Sequence, residues 1–77
     1  MTNHYDRYKS QHKKAEQTLN ILKATKAEID LSLETDPINA ALHKELRTVN
    51  LEIKITLNEI EQAESDIQRC ELQFQLP

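Results

Sequence analysis

Glycine is absent from this 77-residue chain, and the only proline before its last residue is Pro37, near the middle. Those two facts constrain the fold more than anything else in the sequence. Tight turns that need left-handed backbone are largely closed to a chain without glycine. On each side of Pro37 runs an uninterrupted stretch rich in the helix formers Ala, Leu, Glu, Lys and Gln. The segment LETDPINAAL, residues 33–42, therefore reads as one corner between two helices. Proline disfavours helical backbone in the residue before it, so the first helix is expected to end near Glu34 or Thr35. Asp36 reads as the cap of the second helix and Pro37 as its first residue. An aspartate accepts from the free N–H groups of a first turn, and proline loses no hydrogen bond there. The expected organisation is a single domain over 1–77, with helix one over about 3–34, a corner at 35–37 and helix two over about 37–75.

The apolar positions say how the two helices meet. In the first, Tyr5, Tyr8, His12, Ala15, Leu19, Leu22, Lys26, Ile29 and Leu33 follow alternating steps of three and four. In the second, Leu42, Leu46, Val49, Ile53, Thr56, Ile60, Ala63, Ile67, Cys70 and Phe74 do the same. Each is a heptad seam, with polar members at His12, Lys26 and Thr56. Folded antiparallel, the seams align in one constant register: Leu33 with Leu42, Ile29 with Leu46, Leu22 with Ile53, Leu19 with Thr56, Ala15 with Ile60, Tyr8 with Ile67. Several layers set a large residue against a small one, as interdigitation requires. The fold class expected is all-α: a two-helix antiparallel coiled-coil hairpin that completes a helical bundle with a partner or a second copy.

Charge supports that orientation. Residues 1–26 hold six basic side chains against two acidic ones, whereas 27–77 hold four basic against eleven acidic, within a net charge of −3. Antiparallel folding sets the basic end beside the acidic end, and places Lys9 near Glu64 and Asp30 near His43. Exposed pairs of this kind contribute only about 0–1 kcal/mol each and choose orientation more than they stabilise. A basic nucleic-acid-binding arm is the competing reading of the first helix. The acidic row Glu45, Glu52, Glu59 and Asp66 could in turn imitate a nucleic-acid backbone. Its steps of seven residues are roughly 10 Å, however, wider than adjacent phosphates.

Several function classes lack their residues. No phosphate loop can be built without glycine, and neither a G-x-S-x-G nor an H-E-x-x-H pattern occurs. His4, His12 and His43 do not have zinc spacing, and a two-helix rod offers no enclosed pocket. The expectation is a protein that is not an enzyme and carries no cofactor or metal. Cys70 is a single thiol facing Tyr5 across the seam, read as a packing residue. Lys26 reads both as a snorkelling side chain and as a device that fixes register. With 38% hydrophobic and 30% charged residues and no long apolar run, neither a membrane span nor a signal-peptide core is expected, which places the chain in the cytoplasm.

Aliphatic residues off the seam mark where a partner would bind. Ile21 and Ile55 stand at nearly the same height along the hairpin, on the edge that carries the acidic row. Thr18 and Thr25 are short and uncharged where a solvent flank would carry charge, and Ala24 and Leu51 widen the apolar area. The expected partner-binding residues are Thr18, Ile21, Ala24, Thr25, Leu51 and Ile55, and the expected partner is another protein or a second copy. In size and outline such a hairpin is similar to the small helical-hairpin co-chaperones of bacterial secretion systems and to small phage-encoded helical proteins. That likeness is one of architecture, which does not fix function. The functional expectation is a small protein-binding hairpin acting as adaptor, chaperone or co-chaperone subunit, or inhibitor.

Overall fold

A computed structural model describes residues 4–75, with side-chain surroundings for 4–73. Two helices make up the fold: α1 spans His4–Thr35 and α2 spans Ala40–Gln75. They pack against each other along their lengths as an antiparallel hairpin, 61 × 17 × 15 Å. The expected start of helix one at residue 3 and the seam packing of Phe74 lie outside the described residues.

Every seam residue in that range is buried or half-buried. Ala15, Leu22 and Ile29 of α1 and Val49, Thr56, Ile60 and Ala63 of α2 are the buried ones. Off the seam, only Thr25, Asn39 and Asp66 lose comparable exposure. The register follows the expected alignment to within one helical turn. Open grooves bring Ala15 beside Ala63, Ile29 beside Val49 and Tyr8 beside Cys70. Thr56 fits the apolar seam because its hydroxyl donates to the Glu52 carbonyl at 2.8 Å, leaving no unsatisfied group.

The corner differs from the expectation at its cap. α2 begins at Ala40, not at Pro37, and its cap is Asn39, not Asp36. Thr35 closes α1, and the Asp36 amide still donates to the Ser32 carbonyl at 3.1 Å. Asp36-Pro37-Ile38-Asn39 then forms a turn in which the Asn39 amide donates to the Asp36 carbonyl at 3.3 Å. Proline occupies the second position of that turn, where its fixed φ is suited. The Asn39 side chain works in both directions: Oδ1 accepts from the Leu42 amide at 3.0 Å, and Nδ2 donates to Asp36 Oδ2 at 3.0 Å. His43 Nε2 donates to the Pro37 carbonyl at 2.7 Å. No described residue has positive φ, so this corner needs no glycine.

Lys9 and Glu64 line one groove, as expected, but the contacts made around them and at His43 are different ones. Glu64 meets His12, whose ring reaches Glu16 at 3.0 Å through Nδ1 and Glu64 at 3.4 Å through Nε2, tying α1 to α2. Lys9 lies 5.1 Å from the centre of the Tyr5 ring, and His43 is engaged at the corner instead of with Asp30.

Candidate functional site

The seam divides the surface of the hairpin into two flanks of different chemistry. On one, a groove is lined by Lys9, His12, Glu64, Ile67, Gln68 and Glu71, most of them charged or ionisable. The other flank carries a groove at Tyr8, Asp66, Arg69 and Cys70 near the open end of the hairpin and, in line with it toward the corner, two more. The first is walled by Thr18 and Lys14 of α1 and by Glu59 and Gln62 of α2, over a floor of Ala15 and Ala63. In the second, Thr25 of α1 faces Lys44, Glu45 and Thr48 of α2 over Ile29 and Val49, and the exposed surface is nearly all apolar.

Ile21 and Ile55 stand between these two grooves. Ile21 is seven residues beyond Lys14 and Ile55 seven beyond Thr48, so each continues a row that lines a groove. Their exposures, 67% and 48%, are large for isoleucine and leave most of each side chain available to a partner. The structure thus brings Thr18, Ile21, Thr25 and Ile55 onto one flank. Ala24 lies midway between the seam residues Leu22 and Lys26, and Leu51 midway between Val49 and Ile53. These two therefore sit on the outer sides of their helices, away from the grooves, although Leu51 is 59% exposed.

The threonines make this flank more apolar than its composition suggests. Thr18 Oγ1 donates to the Lys14 carbonyl at 3.1 Å, Thr25 Oγ1 to Ile21 at 3.0 Å and Thr48 Oγ1 to Lys44 at 3.2 Å. Each hydroxyl is satisfied by its own helix, which leaves the methyl as the group a partner would cover. Covering it strands no donor, so the usual cost of burying a polar group does not arise.

Along the α2 wall runs the acidic row. Asp66 is held by Arg69 at 2.6 Å and by Gln62 at 3.2 Å, and its side chain is only 18% exposed. Among the described residues, the carboxylates of Glu45, Glu52 and Glu59 have no such partner.

Sequence reasoning missed Thr48 and Ile38. Thr48 faces Thr25 across a groove, and its place seven residues before Ile55 was the available signal. Ile38 sits at the tip of the corner, 89% exposed, because the turn projects it where neither helix can cover it. Among the described residues, no group of three or more His, Cys, Asp or Glu could hold a metal ion. No described helix is long and apolar enough to cross a membrane. Comparison with known proteins finds no matching family model, no matching curated protein and no matching solved structure.

Proposed function

We propose that this chain is a small, non-enzymatic protein-binding hairpin of the cytoplasm, acting as an adaptor, chaperone subunit or inhibitor through the Thr18–Ile21–Thr25 and Thr48–Ile55 flank. The observation that carries this reading is an aliphatic surface contributed by both helices whose interspersed hydroxyls are already satisfied. Aligned apolar groups that cost little to desolvate are what a helical partner needs. The thinness of the core points the same way. No described side chain is completely enclosed, and a hairpin of this size buries only one stripe per helix against the ordering cost of every residue. The basic side chains of α1 are spread around the helix and do not line one face, so nothing favours the nucleic-acid reading over this one.

Affinity capture from the native host tests the proposal. The wild-type hairpin should retain a partner that Ile21→Glu/Ile55→Glu loses, because the new charges would be buried unpaired at the centre of the contact. Leu57→Glu makes the same chemical change on the other flank, at a residue 45% exposed, and should retain it. Capture that survives the double variant and fails with Leu57→Glu would move the site to the opposite flank.

A further inference from the structure

We propose that the occupant of this flank is a basic amphipathic helix of another protein, seated in the line of grooves between α1 and α2. The inference rests on the protein-binding reading above and adds the chemistry of the partner.

The two walls of the site are chemically unequal. The α1 wall carries Thr18 and Thr25, with their hydroxyls turned to their own backbone, and one cation, Lys14. On the α2 side Glu59 lines the first groove and Glu45, beside Lys44, the second, and Glu52 falls between them in the same row of seven, beside a floor of Ala15, Ala63, Ile29 and Val49. An incoming element must fill an apolar floor and meet three carboxylates spaced by roughly 10 Å along one side only. An α-helix does both, since residues seven apart stay on one face at that spacing. Its apolar ridge would enter the floor while Lys or Arg at every seventh position meets the glutamates. Between helices there is no strand edge for an extended peptide to join.

A second copy fits less well. If two hairpins paired through this flank head to tail, the acidic rows would lie against each other, since Glu45 to Asp66 is centred near the middle of α2. If they paired in the same direction, Lys14 could approach Glu59, but Glu45 and Glu52 would face Thr25 and Ser32 with no cation. Burying carboxylates without partners costs more than a few threonine methyls return. A partner that brings its own cations avoids that cost.

The test uses two synthetic helical peptides of about three heptads. Both carry the same leucine stripe; one has Lys along one side at every seventh residue, and its twin has Glu in those places. Binding to the full chain is measured at about 0.15 M salt, where long-range attraction is screened. The basic peptide should bind at least about tenfold more tightly than the twin. Glu52→Lys/Glu59→Lys should reverse that preference. Both replaced residues are exposed and lysine is an equally good helix former, so the variant should keep its helicity, which circular dichroism checks. Glu61→Lys/Glu71→Lys, the same charge change away from the row, should keep the preference of the parent.

The inference is overturned if neither peptide binds, if the row variant does not reverse the preference, or if the control variant abolishes it equally. It is also overturned if the purified chain alone has twice its 9.0 kDa mass and Ile21→Glu/Ile55→Glu returns it to monomer, since a second copy then fills the flank. In each of these cases, native capture that still depends on Ile21 and Ile55 would leave the protein-binding reading standing. Capture that ignores them would remove both this inference and the choice of flank.

Discussion

Whether a polar side chain counts as polar depends here on where its hydrogen bond goes. Thr18, Thr25, Thr48 and Thr56 each donate to the carbonyl four residues back, so one buried threonine joins an apolar seam and three others join an apolar flank. Periodicity alone could not show this, because it ranks threonine by type and not by partner. Asn39 is the other decisive single residue. Its side chain caps α2 and holds Asp36 in the same turn. Asn39→Ala should therefore destabilise the hairpin by about 0.5–2 kcal/mol, and Asn39→Asp, which keeps an acceptor, by clearly less. Chemical denaturation of both variants measures the difference, and equal losses would place the cap elsewhere.

At the scale of the helices, the strict alternation of three and four steps made the hairpin and its register legible, because half-burial on an antiparallel pair leaves no other stripe to use. The corner was legible in place but not in detail. Proline suits the first position of a helix and the second position of a turn equally well, and both Asp36 and Asn39 are good caps. The turn won because it engages Asp36, Asn39 and His43 together. The flank proposed for binding was only half legible: Ile21 and Ile55 stood out as aliphatics off the seam, whereas the difference between the two walls required the folded pair. The seam itself makes a graded prediction. Ile60 is buried, so Ile60→Ala should cost roughly 2–4 kcal/mol. The half-buried Ile53 should cost less when cut to Ala, and Asn58→Ala, on the outer side of α2, less than about 0.5 kcal/mol. Thermal or urea unfolding orders the three, and a large loss at Asn58 would reject the register.

At the scale of the whole molecule, the hairpin is a short rod. Small-angle scattering on the isolated chain should give a longest dimension near the 61 Å extent of the fold. A single continuous helix of the same chain would instead approach ~110 Å at 1.5 Å per residue. Along this rod we propose that one flank, and not the tip or the other flank, receives a protein. Isoleucine methyl groups report on each of these places without any mutation. Ile21 and Ile55 lie on the flank, Ile38 at the tip, and Ile67 in the groove of the opposite side. Methyl NMR of the isoleucine-labelled chain, titrated with the partner captured from the host, should shift or broaden the Ile21 and Ile55 signals first and leave Ile38 and Ile67 nearly unmoved. Changes led by Ile38 or Ile67, with Ile21 and Ile55 unaffected, would place the contact at the tip or on the opposite flank instead.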